Sequence, residues 1–172
     1  STGALNPIKE ISEAVREHDD VVLLVDSVTG VGGAEVRTDK WALDFVLTGS
    51  QKALALPPGL SFGVASERLM ARSADAPRKG AYFDLVSFRK QLDLLQTPNT
   101  PAVTLFYAAA KELDRIRLEG LEARWDRHQA MSDRCVQWVD MICEQRGVAL
   151  SVLAPEGFRS PTVTCVGLPE GT

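Results

Sequence analysis

VVLLVDSVTGVGGAEVRTDKWALDFVLTGSQKALALPPGLSFG, residues 21–63, decides the fold. Its first run, Val21–Val25, is five consecutive branched apolar residues, the pattern of a strand covered on both faces in a parallel sheet. A second run, Asp44–Thr48, repeats the arrangement. Asp26 stands at the carboxyl end of the first run, and Gly49-Ser50-Gln51 delivers Lys52 to the same edge if the two strands run parallel. That edge is where open α/β sheets bind ligands. An acid and an amine therefore meet where chemistry is expected.

Between the two runs, Gly30–Gly33 (GVGG) lacks the Lys-Ser/Thr of a phosphate loop and the full dinucleotide spacing, so it reads as a flexible turn crossing the sheet edge. Upstream, Asn6-Pro7 offers a cap and a first-turn proline, and Ile8, Ile11, Ala14 and Val15 keep helical spacing through about His18. Downstream, Leu56-Pro57-Pro58-Gly59 breaks the chain, Leu60–Ser66 reads as another strand, and Glu67 leads into a helix around Arg68–Arg72. Alternation of helix and strand implies α/β layering with a crossover rather than a hairpin.

From Ser73 to Asn99 the periodicity is poor, which predicts a surface-crossing connection with short helical pieces, pinned by Tyr82-Phe83 and Phe88. From Thr100 onward, Val103, Phe106, Tyr107, Ala110, Leu113 and Ile116 mark one apolar helix face, broken near Gly120. A second long helix is lined by Trp125, Met131, Cys135, Trp138, Val139 and Ile142, with Gly147 as its C-cap. Val148–Leu153 and Thr162–Val166 read as strands around a Pro155–Pro161 turn.

The chain has 172 residues, 45% hydrophobic and 24% charged, enough for one sizeable core or parts of two domains. A net charge of -4 without a basic stripe disfavours a nucleic-acid partner, and no apolar run is long enough to cross a bilayer. Cys135, Cys143 and Cys165 lack metal-ligand spacing and read as reduced thiols in a soluble, cytoplasmic protein; no metal is expected. His18 at a helix end and His128 beside Arg127 on a charged face read as structural. Arg159 is left out of the site.

Taken singly, Asp26 is read as a solvated turn residue or cap and Lys52 as a surface charge. Together they admit another reading. A lysine amine forms a Schiff base with an aldehyde cofactor, and a carboxylate can hold a pyridinium nitrogen protonated, making the ring an electron sink.

At these residues the sequence resembles the class V, fold-type-I pyridoxal-phosphate aminotransferases, nearest the alanine–glyoxylate and serine–pyruvate (serine–glyoxylate) branch. The resemblance rests on Ser1-Thr2-Gly3 with Leu5-Asn6-Pro7-Ile8, Val25-Asp26-Ser27-Val28 with Gly32-Gly33, Gly49-Ser50-Gln51-Lys52-Ala53-Leu54 with Pro57-Pro58-Gly59, and Thr97-Pro98-Asn99-Thr100-Pro101. It extends to Arg159-Ser160-Pro161-Thr162-Val163-Thr164.

The resemblance implies pyridoxal 5'-phosphate as cofactor, Lys52 as its Schiff-base partner and proton carrier, and Asp26 as partner of the ring nitrogen. It further implies Ser1 at the ring hydroxyl, Val28 on the ring face, Gln51 at the phosphate, and Thr100 reaching the phosphate from the partner subunit of a homodimer. Thr97 departs from the tyrosine that some members carry three residues before that threonine, which puts a cross-subunit contact from this position in doubt. Gln51 and the absence of a nearby cysteine argue against cysteine desulfurases; a phosphoserine aminotransferase-like enzyme and a noncatalytic short scaffold stay as alternatives.

The implied architecture is part of the large cofactor-binding domain, a mainly parallel sheet with helices, plus the start of an α+β small C-terminal domain. Residues 1–100 would be the C-terminal part of the large domain with a connecting segment, and 101–172 the interdomain helices and the start of the small domain. The implied reaction is transamination between an alanine- or serine-type donor and a 2-oxo acid such as glyoxylate or pyruvate. The chain covers less than half of such an enzyme, so the 172 residues alone are expected to be inactive.

Overall fold

The computed structural model describes residues 2–169 and 171. Strands β1 (Leu24–Asp26), β2 (Phe45–Gly49) and β3 (Ser61–Ala65) form one sheet in the order β1-β2-β3. β1 pairs parallel with β2, Leu24 opposite Phe45 through Asp26 opposite Leu47, so both strands end at the same edge. β3 lies antiparallel on the other side of β2, from Phe45 opposite Ala65 to Gly49 opposite Ser61.

The Val21 run joins the ladder only at Leu24, because the backbone of residues 21–23 is engaged elsewhere. The Val21 carbonyl accepts from Arg68 Nη2 at 2.6 Å and the Leu23 N–H donates to Asp44 Oδ2 at 2.8 Å. Beneath the sheet Val25, Leu43 and Val46 are buried, with Ile8, Leu23, Val31, Val36 and Trp41 packed around them. Each such side chain contributes about 1.5–3 kcal/mol when fully buried.

Helix α1 (Ile8–Val15) covers this core, but Asn6 is not its cap: Pro7 occupies that position without a side-chain cap hydrogen bond. α2 (Glu67–Asp75) is capped by Ser66, and α3 (Leu85–Asp93) by Asp84, which makes the 73–99 connection more helical than its periodicity implies. α4 (Val103–Glu119) and α5 (Leu121–Arg146) meet at Gly120, whose φ of 84° turns the chain. Gly147 closes α5 in the left-handed conformation, φ 65°, as expected for a C-cap glycine. The short strands β4 (Ser151–Val152) and β5 (Val166–Gly167) pair antiparallel beyond it.

The long helices depart from the apolar pattern. Val103, Phe106, Tyr107 and Leu113 are exposed, and α4 instead turns Leu105, Ala109, Glu112, Ile116 and Glu119 inward. On α5, Met131, Cys135 and Trp138 are exposed, while Arg124, His128, Ser132, Val136 and Val139 form the inward stripe. Ile116 and Val139 hold to the expected faces, but the facing stripes are partly ionic, so hydrophobicity alone finds only part of each inward side.

Asp44 ties the entry end of the sheet together. Its carboxylate accepts from Leu23 N–H, Ser66 Oγ at 2.8 Å, Arg68 Nε at 3.0 Å and Arg68 Nη2 at 2.7 Å. The Arg68 guanidinium holds this carboxyl below the usual carboxylate range, at about 2. A carboxyl lowered on folding stabilises above its unfolded value and loses that contribution on acidification. Asp44→Ala is expected to cost about 2–3 kcal/mol in urea unfolding at neutral pH. In the unsubstituted protein the Asp44 contribution declines only as pH falls from about 4 towards 2, a window read by repeating the unfolding across acid pH.

Candidate active site

The parallel register places Asp26 at the carboxyl end of β1 and lets β2 run two residues past Leu47 into Ser50-Gln51-Lys52. Asp26 and Lys52 therefore leave the sheet at one edge, opposite the Asp44 end. The next turn is built on Ser50, fully buried: its Oγ donates to the Pro57 carbonyl at 2.7 Å and accepts from the Leu60 N–H at 3.2 Å. Leu56 N–H closes back on the Ser50 carbonyl. These bonds tie Pro57 and Leu60 back to Ser50, while Gln51 and Lys52 stay exposed.

Two acids in the sheet have opposite fates. Asp44 has its oxygens filled by four donors, whereas Asp26, exposed, accepts only the Val28 N–H at 3.1 Å through Oδ1. Among the described residues, Asp26 Oδ2 and Lys52 Nζ make no hydrogen bond or ion pair. Gln51 folds over Gly49, where a Cβ would lie 2.7 Å from Gln51 Oε1. An acceptor, an amide and an amine are thus left unengaged at one sheet edge. That donor set suits a group carrying a protonated ring nitrogen, an aldehyde and an anion.

Val28 is half-buried behind Asp26, and its carbonyl accepts from Thr48 Oγ1 at 3.0 Å. Thr100 is exposed in the extended entry to α4. The Pro57–Gly59 loop packs on that helix, since a Cβ at Gly59 would come within 2.6 Å of Leu105 Cδ1. Thr97 turns its hydroxyl onto its own loop, donating to the Asn99 carbonyl at 2.8 Å. Ser1 lies outside the described residues. Arg159 Nε donates to the Ala154 carbonyl at 3.3 Å.

The glycine segment is wound and packed rather than flexible. Ser27 and Gly30 carbonyls accept the N–H groups of Gly30, Val31, Gly33 and Ala34, and Gly30, Gly33 and Ala34 are buried. At Gly33 a Cβ would lie 2.4 Å from Thr162 Cγ2 and 3.0 Å from both Ala53 Cβ and His128 Cδ2. One position therefore joins the turn after β1, the Lys52 turn, α5 and the 162 segment. His128 is half-buried there, with Nδ1 2.8 Å from the Arg124 carbonyl, not on an outward charged face.

Arg124, which the sequence reading did not single out, is buried as well. It donates from Nε to the Gly32 carbonyl at 2.9 Å and from Nη2 to the Ala53 carbonyl at 2.7 Å, while Nη1 meets Glu119 at 2.8 Å. Glu119 also pairs with Arg127, and the two guanidinium groups hold its carboxyl down to about 2, Arg127 contributing most. Nothing in the local sequence separates Arg124 from its exposed charged neighbours; only the inward phase of α5 does.

Residues 1–152 match the aminotransferase class-V family, and the chain belongs to it. Among curated relatives, an uncharacterized aminotransferase of Methanocaldococcus jannaschii is 39% identical over 99% of this chain and 43% of its own. A protein called the soluble hydrogenase small subunit of a Synechococcus species is 34% identical over 99% of this chain and 43% of its own. The crystal structure of alanine–glyoxylate aminotransferase from Nostoc sp. superposes with a TM-score of 0.85 at 32% identity, covering all of this chain and 45% of that one. The chain thus spans under half the length of these relatives. Class-V aminotransferases are pyridoxal-phosphate enzymes, and the α/β organisation seen here is part of their fold.

Gly33→Ala is expected to cost about 1–3 kcal/mol of stability, because the added methyl has no space. Adding Thr162→Ser, which removes the nearest methyl, should restore at least about half of that loss. Urea unfolding of the single and double variants measures both.

Proposed function

We propose that the full-length protein containing this chain is a pyridoxal-phosphate-dependent aminotransferase moving an amino group from an alanine- or serine-type donor to glyoxylate or pyruvate. The observation that carries this reading is the contrast between the saturated Asp44 and the unengaged Asp26, Gln51 and Lys52 at the opposite end of the same strands. The glyoxylate in the name of the Nostoc alanine–glyoxylate aminotransferase supports glyoxylate as acceptor. The hydrogenase name of one relative has no counterpart in this donor set.

Pyridoxal phosphate, when bound, supplies an aldehyde carbon that a lysine amine can hold and a ring able to take up electrons from the substrate Cα. In this reading Lys52 Nζ is the covalent anchor and, once displaced by the donor amine, the base that carries the Cα proton. Asp26 keeps a proton on the ring nitrogen through its unengaged oxygen. Val28 backs the ring, Gln51 donates to the phosphate, Thr100 contributes its hydroxyl from a second copy, and Ser1 serves the ring hydroxyl.

A homodimer completes this site. Val103, Phe106 and Tyr107 lie exposed on the first turns of α4 beside Thr100, an apolar surface suited to a second copy. We divide the chain near residue 100 into a cofactor-binding part and the helices leading to a smaller domain. No helix among the described residues is long and apolar enough to cross a membrane. The three unpaired thiols support a cytoplasmic setting.

In the full-length protein, Lys52→Ala is expected to abolish the borohydride-reducible visible absorbance and lower turnover by at least about a thousandfold, and Asp26→Ala by at least about a hundredfold with the absorbance retained. A Lys52→Ala protein keeping a full reducible band would overturn the assignment. Residues 1–172 expressed alone should show no transamination in a coupled assay with glyoxylate and a panel of amino donors.

A further inference from the structure

We propose that Arg124 is a positioning residue that sets the Lys52 turn against the Asp26–Gly33 turn, and so fixes the lysine amine relative to the carboxylate. The inference rests on the roles given above to Asp26 and Lys52. Its basis is which two carbonyls one guanidinium reaches.

Ala53 directly follows Lys52, and Gly32 lies in the wound segment that begins immediately after Asp26. Arg124 bonds both carbonyls, at 2.7 and 2.9 Å. Among the described residues, these are the only hydrogen bonds of their kind: no other side chain outside residues 48–60 reaches residues 51–56. The remaining bonds of the Lys52 turn are internal, Ala55 N–H to the Lys52 carbonyl and Leu56 N–H to the Ser50 carbonyl. They shape the turn but do not place it against β1's exit.

The guanidinium suits this work because its N–H groups diverge in one rigid plane, so two carbonyls bound by it cannot shift independently. Its burial, at 5% exposure, would be costly for an unpaired charge. The inward carboxylates of α4 compensate it: Glu119 bonds Nη1 at 2.8 Å, and Glu112 lies 3.5 Å from Nη2. The Arg124 carbonyl in turn meets His128 Nδ1, one helical turn further along the stripe. Arg127 shares Glu119 but reaches neither turn, and its side chain is 46% exposed. It is therefore an internal control for loss of the ion pair alone.

The test uses the full-length protein stripped of cofactor and mixed with pyridoxal phosphate, following the rise of the borohydride-reducible absorbance. Arg124→Met should slow that capture at least about tenfold and lower kcat by a similar factor with KM for the amino donor nearly unchanged, while Arg127→Met captures at the unsubstituted rate. Arg124→Lys keeps the charge facing Glu119 but loses the fork, so it should fold and capture slowly. It carries the test if Arg124→Met does not fold. Equal capture rates in Arg124→Met and Arg127→Met, or unaltered capture in Arg124→Lys, would overturn the proposal while leaving the Lys52 assignment intact. An unsubstituted protein that forms no reducible band with pyridoxal phosphate would instead overturn the functional reading and this inference with it.

Discussion

Asp44 receives donors from the entry of β1, from Ser66 and from Arg68, and so clamps two parallel strands and the helix after β3 at one end of the sheet. Because the strands are parallel, clamping their entry also sets where both exits lie. The Asp44 carboxylate is itself buried while Arg68 is partly exposed, and Val25, Leu43 and Val46 form the core of the same sheet. The opposite edge is thereby left to present Asp26 and Lys52 with little local bonding of their own. A group can be exposed and still accurately placed when the strand that carries it is anchored elsewhere.

The second constraint is ionic and lies between α4 and α5. Helix pairs usually bury apolar stripes, but here Glu112 and Glu119 face Arg124, and that arginine extends into the turns at the sheet edge. Its desolvation is offset by carboxylates on one side and backbone carbonyls on the other. The seam thus links the long helices to the sheet edge through directional bonds, where an apolar contact would tolerate sliding. Gly33 adds a steric limit at the same junction, with Thr162, Ala53 and His128 all within 3.0 Å of where a side chain would begin.

Much of the fold was legible locally. The two apolar runs ending in Asp26 and near Lys52, the proline break at 57–58, and the helix stops at Gly120 and Gly147 follow from periodicity and from backbone freedom at glycine. Where the reading failed, side chains had taken over backbone partners or turned an unexpected face inward. Residues 21–23 look like strand but bond to Asp44 and Arg68, and GVGG looks loose but is wound on Ser27 and Gly30. On α4 and α5 only part of each expected apolar face turns inward, Ile116 and Val139 among it, because the inward stripes also carry polar and charged residues.

Sequence alone determined the element types around residues 21–63, the candidate acid and amine, and, through the motifs around them, the family. Those features depend on local chemistry: branched residues favour strands, and Gly and Pro dictate turns. Tertiary structure decided which aspartate is structural and which is available, since folding buries Asp44 among four donors and leaves Asp26 exposed with one. It also made Arg124, one of several charges on α5 in the sequence, a buried bridge. That outcome depends on the phase of one helix against another, which requires residues 32, 53, 112, 119 and 124 to be brought together in space.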